Sequence, residues 1–214
     1  RTTAIIFSIT IQPNGKKLLD IGCATGIFLQ EAESRGYQVN GIDASKYAVD
    51  QARKFLDHQV KHGTLSTVKL SPREFNIITM FDVFEHLKKP FQDLRRCHHL
   101  LKPNGLLVIN TGNTNSLLAK FEGKNWHFFI PPQHLFFYSD ANLKRLLKMN
   151  GFETLAVYTI GKHISLRYLW HLMRTINHSS LADFLYRLFN RSFIGRTSFY
   201  MNLHDNMTVI AKKI

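Results

Sequence analysis

The stretch LLDIGCATGIFL, residues 18–29, decides how this chain is read. An apolar run, a glycine-bearing turn and the start of an amphipathic pattern make a buried strand, a tight bend and a helix, the unit with which α/β proteins build a crevice for a nucleotide-like ligand. A dinucleotide fingerprint counted from Gly22 needs glycine where this chain has Ala24 and Ile27. The second glycine admits a pyrophosphate to the backbone and the third lets helix and strand pack closely, so their replacement argues against NAD and FAD. No Gly-Lys-Ser/Thr phosphate loop follows either. What remains is a turn preceded by a carboxylate, Asp20, and framed by Gly22 and Gly26.

Outward from this turn, strand and helix patterns alternate through the first 160 residues, which predicts a parallel sheet covered on both faces. Residues 17–21 form the first strand, and a helix from Ile27 stops at Gly36. YQVNGID is the second strand. Ser45 then caps a helix whose Ala48, Ala52, Phe55 and Leu56 share a face. Residues 58–73 offer short strands near Val60 and Val68. FNIITMF is a buried strand, PFQDLRRCHHLL a helix opened by proline and closed by KPNG, and LLVINT the fifth strand. An aromatic-rich loop, NWHFFIPPQHLFFYS, leads into a helix begun by Ser139 and Asp140 and ended by Asn150 and Gly151. FETLAVYTI and NMTVIAKKI are the last strands. Between them, Leu166, Leu169, Trp170 and Met173, and then Leu181, Phe184, Leu185 and Leu188, fall at helical spacing, the second set behind a Ser180/Asp183 capping box.

At 214 residues and 44% hydrophobic content the chain suits one well-buried domain. No run of eighteen apolar residues and no cleavable leader is present, so a cytoplasmic protein is expected. The opening at Arg1 rather than Met suggests a missing upstream stretch. Cys23 and Cys97 make neither a disulfide framework nor a zinc set and read as buried thiols.

Two acids close neighbouring strands. Asp20 ends the first, where it suits a cofactor presenting an amine rather than a phosphate; Asp43 ends the second, where a carboxylate accepts hydrogen bonds from both hydroxyls of a ribose. An amino-acid ammonium plus a ribose describes S-adenosylmethionine. The plainer alternative is that both acids only form turns and cap helices.

LLDIGCATGIFL, VNGIDAS, FNIITMFDVFEHL and LLKPNGLLVINT, in this order and at these spacings, resemble the class I S-adenosylmethionine-dependent methyltransferases, nearest the ubiquinone-biosynthesis O-methyltransferase-like, small-molecule branch. The resemblance spans residues 16–160, with 206–214 as the fold's reversed last strand. It implies a doubly wound, Rossmann-like α/β sheet of seven strands, mostly parallel with the last antiparallel and a helical insertion before it. The whole is then one domain, residues 1–214: a cofactor core at 16–160, a lid or substrate insertion at 161–205 and the final strand. Carried over by position, Asp20, Gly22, Ala24 and Gly26 surround the methionine part of S-adenosylmethionine, Asp43 and Ala44 hold the ribose, Phe81 lies beside the cofactor, and Thr64 and Leu65 face the adenine. Ala24 stands where the family's middle glycine does, and HGTL replaces an aspartate common near the adenine amino group.

Methyl transfer from a sulfonium is an in-line displacement, so alignment does most of the work and few catalytic side chains are needed. A hydroxyl acceptor gains from a base titrating near neutrality, which points to histidine. His86, after the fourth strand, is the candidate base or substrate partner; His134, in the aromatic loop, is the second candidate. Both also read as structural anchors. The spacing Asp82, Glu85, His86 resembles the Glu-x-x-Glu-His set with which some ubiquinone-pathway O-methyltransferases hold a divalent metal; capping of the next turn is the preferred reading, and no metal is assigned. Trp126, Phe128, Phe129, Phe136, Phe137 and Tyr138 divide between core and substrate-pocket wall.

Lys and Arg number 28 against 15 acids, a formal +13 that favours anionic partners. Residues 161–200 carry six of these bases and one acid on apolar-striped helices, which reads as a substrate cover, or as a face for acidic lipid or a phosphate-bearing or lipid-linked acceptor. A nucleic-acid or protein substrate rests on charge alone; the Asn/Asp-Pro-Pro-aromatic motif of base methylation is replaced by FDVFEH. A catalytically silent binding protein is the remaining rival, against which the intact Asp20, Gly22, Gly26 and Asp43 weigh.

Overall fold

A computed structural model describes residues 13–159, 161–168, 184, 186–187 and 197–214. The apolar runs form strands β1 (Lys17–Ile21), β2 (Gln38–Asp43), β3 (Val60–His62), β4 (Phe75–Phe81), β5 (Leu101–Gly112), β6 (Phe152–Thr159), β7 (Lys162–Ser165), β8 (Ser198–Met201) and β9 (Asn206–Lys213). Seven of them build one sheet in the order β3-β2-β1-β4-β5-β9-β6. Pairings among β1 to β5 are parallel, whereas β9 runs antiparallel to both β5 and β6. From β1 the chain steps outward to β2 and β3, then returns to lay β4 on the other side of β1. The resulting switch point opens a crevice at the carboxyl ends of β1 and β4, where open α/β sheets bind ligands.

Alternation along the strands sends side chains to two covered faces. Leu18, Ile77, Val108 and Ile210 pack beneath Leu29, Ala32, Val49, Ala52 and Leu56, which belong to α1 (Ile27–Ser34) and α2 (Lys46–Leu56). Leu19, Ile78, Met80, Ile109 and Val209 meet Leu94, Cys97, Leu143 and Leu147 from α3 (Pro90–Leu100) and α5 (Asp140–Met149). Local chemistry sets the helix starts. Ser45 accepts from the Ala48 N–H, and Ser139 forms a reciprocal capping box with Asn142, rather than with the Asp140 expected to share the cap.

Several expectations are corrected. Phe55, placed on the packing face of α2, is 70% exposed because it lies at the rim of a stripe centred on Ala48, Val49, Ala52 and Leu56. Val68 is buried but lies in irregular chain rather than a strand, its carbonyl accepting from Arg96. β5 starts at Leu101, not at Leu106, since Leu101 already pairs with Phe75; the KPNG run is taken up by a register shift with Asn104 at φ +59°. The loop after β5 contains a short helix, α4 (Leu117–Glu122), capped by Ser116. β7 and β8 pair antiparallel as a separate two-stranded sheet that the sequence reading lacks. The two amphipathic helices expected between residues 166 and 188 fall mostly outside the described residues, as does the start of the chain to residue 12. Among the described residues no helix is long and apolar enough to cross a membrane.

Candidate active site

The turn after β1 owes its shape to three residues of positive φ: Gly22 at +74°, Ala24 at +46° and Gly26 at +80°. A Cβ on Gly22 would run into Val83 Cγ2, so the turn needs glycine to let the post-β4 loop approach. At Gly26 a Cβ would meet Leu56 at 2.7 Å, which makes this glycine the contact point of α1 with α2. Ala24 holds a conformation that favours glycine, and its N–H donates to Asp43 Oδ2 at 2.8 Å. The Ser45 N–H donates to the other oxygen, also at 2.8 Å. Asp43 thus ties the β1 turn to the β2 turn, with a lone pair left on each oxygen for further donors.

Asp20 is 3% exposed and accepts from Thr79 Oγ1 at 2.6 Å; the sheet register sets the two side by side. Burial pushes its carboxyl up to about 7; the Thr79 hydroxyl opposes this, and the neighbouring Asp43 charge adds to it. The Cys23 thiol is pushed up to about 12, first by burial and then by the same two carboxylates, so it is no nucleophile. A buried acid held at the edge of ionisation beneath a glycine turn is matched by a cation.

Beyond the turn lies a cavity of about 520 Å³, lined on one side by Gly22, Asp43, Ala44, Thr64 and Leu65 and on the other by Val83, His86, Leu87, Lys88, Lys89 and Gln92. Five residues named from the resemblance, together with His86, therefore meet in one space. Asp20, Ala24 and Gly26 do not line it. Phe81 sits apart from it, edge-on to Phe28 with ring centres 4.8 Å apart. Thr79 and Val83 were missed by sequence reasoning; Thr79, a polar residue inside FNIITMF, was the available signal.

His86 Nδ1 lies 2.8 Å from the Gln133 carbonyl oxygen and must donate to it, leaving Nε2 as the lone-pair nitrogen of the neutral ring. His134 is held likewise, Nδ1 donating to the Phe128 carbonyl at 2.5 Å, and its ring meets that of His86 edge-on at 4.7 Å. The Leu135 and Phe136 N–H groups both donate to the Glu85 carbonyl, so the aromatic loop is pinned to the turn that carries His86. Of the aromatics, Trp126 and Tyr138 are buried while Phe129 and Phe136 are exposed over about two-fifths of their surface, at 44% and 39%.

The metal set suggested by Asp82, Glu85 and His86 does not assemble. Among the described residues the ligand-type atoms that converge, all within 4.8 Å of one another, belong to Glu85, His86 and His134, and Asp82 is not one of them. The Glu85 carboxyl is raised by burial, with the Thr111 hydroxyl donating to Oε2 at 2.8 Å.

S-adenosylmethionine fits the chemistry of this site: a strand-tip carboxylate with a lone pair left on each oxygen for its ribose, and, beneath the turn beside the cavity, a buried acid that a neighbouring ammonium would match. Comparison with known proteins agrees. The methyltransferase-domain family profile matches residues 4–157, and the chain belongs to that family. The fold and the match together define a methyltransferase dependent on S-adenosylmethionine.

Among its relatives is the ubiquinone biosynthesis O-methyltransferase of Dechloromonas aromatica, 29% identical over 77% of this chain and 79% of that protein. The protein of the same name from Pseudomonas aeruginosa is 34% identical over 47% of this chain, a match spanning under half (46%) of that relative. An S-adenosylmethionine-dependent methyltransferase of Archaeoglobus fulgidus shares the fold at a TM-score of 0.66 and 22% identity, covering 99% of this chain and 93% of that one. One from Thermotoga maritima does so at 0.66 and 17%, covering 99% and 87%.

Proposed function

We propose that this methyltransferase delivers the methyl group to a hydroxyl oxygen of a small acceptor, and that the acceptor is deprotonated at His86 Nε2. The reading is carried by one observation: His86 lines the cofactor-sized cavity with Nδ1 fixed on a carbonyl and Nε2 left to accept a proton. The relatives named as ubiquinone biosynthesis O-methyltransferases support oxygen as the acceptor atom. Bound S-adenosylmethionine supplies an electrophilic methyl group on a sulfonium. The chain's own residues do the rest. Asp20, Gly22, Ala24 and Gly26 hold the amino-acid end, Asp43 and Ala44 the ribose, and Thr64 and Leu65 the adenine. His86 then draws the hydroxyl into line while taking its proton, and His134 backs it from the aromatic loop.

Lys88 and Lys89 at the cavity wall suit an acceptor that is anionic or reaches the site from an acidic lipid surface. In this reading residues 1–214 act as one unit, with 161–205 covering the acceptor, in the cytoplasm, where the buried thiols Cys23 and Cys97 stay reduced.

The test is methyl transfer to a panel of hydroxylated aromatic acceptors, with His86→Gln compared at several pH values. Loss of a general base lowers kcat by about 10²-fold or more and abolishes the acidic limb of the pH profile, while affinity for S-adenosylmethionine stays within a few-fold. An unchanged profile, or transfer to amines alone, contradicts the proposal.

A further inference from the structure

Behind His134 lies a second, much smaller cavity of about 10 Å³, lined by Glu85, Thr111, Gly112, Trp126, Phe128, His134 and Tyr138 among others. That is room for one water molecule and nothing larger. Three of its lining residues are almost wholly buried, at 2% exposure for Glu85, 5% for Trp126 and 7% for Tyr138. Each carries a buried polar atom without a partner among the described residues: Glu85 Oε1, Trp126 Nε1 and Tyr138 Oη. A buried polar atom without a partner is costly, so three of them on residues that line one hole of this size call for a shared occupant.

Their chemistry says which one. The indole N–H can only donate, and the phenol is kept protonated because burial and the nearby Glu85 carboxylate push it up. Glu85 Oε1 accepts. His134, its Nδ1 proton given to the Phe128 carbonyl, offers Nε2 as an acceptor. Two donors and two acceptors are the complement of a water molecule. A metal ion would face the indole and phenol protons, and His86, the third member of the ligand-type group, does not line this cavity.

We propose that this cavity binds one water as a fixed part of the site, accepting from Trp126 and Tyr138 and donating to Glu85 and His134. Glu85, Trp126 and Tyr138 are then positioning residues. They hold the His134 tautomer through the water, and His134 in turn holds the ring of His86, against which it packs edge-on. This catalytic consequence rests on the role of His86 given above; the water site does not.

The experiment is a crystal structure of the whole protein at a resolution that shows ordered water, with anomalous data collected above the zinc edge. The expected result is a single peak within hydrogen-bonding distance of Glu85 Oε1, Trp126 Nε1 and Tyr138 Oη, without anomalous signal. A dry cavity overturns the proposal, and so does an anomalous peak bound by Glu85 and the histidines. Tyr138→Phe supplies the functional arm: kcat falls roughly tenfold, about one hydrogen bond's worth, and the pH profile shifts while the KM for S-adenosylmethionine holds. A profile that stays in place leaves Tyr138 merely structural and refutes the positioning role. Should the variant not fold, the wild-type density alone decides. Failure of the hydroxyl-acceptor reading leaves that density untouched, so the two claims fail separately.

Discussion

Asp20 shows how one residue trades stability for binding. Its unfolded carboxyl titrates near 3.8 and its folded one at about 7. Between those values the folded chain holds a proton that the unfolded chain has lost, so stability falls as pH rises through this window and levels off above it. The Asp20→Asn variant lacks that slope and keeps an acceptor for Thr79. It should gain on wild type from pH 5 to pH 8, on the order of a few kcal/mol in denaturant unfolding, while binding S-adenosylmethionine more weakly. Equal pH slopes in the two proteins would contradict this account.

Gly22 carries a packing prediction of the same scale. Gly22→Ala drives a methyl into Val83 and costs about 1–3 kcal/mol by thermal unfolding. Val83→Ala in the same chain should return part of that loss, leaving the strain of a positive φ. Both acids and both glycines were legible in the sequence because spacing after an apolar run fixes them. Thr79 and Val83 were not, since their roles depend on which strand lies beside β1, and that is set by the return crossover rather than by local pattern.

At the scale of elements, caps and apolar periods made most boundaries legible. Ser45, Gly36 and Gly151 stand where helix-end chemistry puts them. Ser139→Ala removes the capping box of α5 and should cost about 1 kcal/mol in chemical denaturation, with Asn142→Ala costing less. A neutral Ser139→Ala would mean that packing of Leu143 and Leu147 alone sets that helix. Less legible were the elements whose sequence contradicts their neighbours. KPNG carries proline and glycine yet lies within β5, because a register shift absorbs it. α4 is too short for a periodic signal and is held by the Ser116 cap. The aromatic loop has its shape from backbone bonds to Glu85 and from side-chain bonds between each histidine and a carbonyl. Pairings across 47 residues, such as His86 with Gln133, leave no trace in local spacing.

For the molecule as a whole, the order β3-β2-β1-β4-β5-β9-β6 does the decisive work. It brings the carboxyl ends of β1, β2 and β4 to one crevice, so that two acids far apart in sequence work as one grip. Asp43 lies 23 positions after Asp20, and the Ala24 N–H on Asp43 closes the gap. Alternating strands and helices announced this sheet, and the reversed last strand followed from the family resemblance. The excess of positive charge foretold no single partner and still selects none by itself.

The most direct test is calorimetric titration of S-adenosylmethionine into the wild-type protein and the Asp43→Ala variant. One saturable site is expected in the wild type and at least a tenfold weaker one in the variant, from the loss of a charge-assisted acceptor for the ribose hydroxyls. Undetectable wild-type binding, or equal affinity in the two proteins, would contradict it.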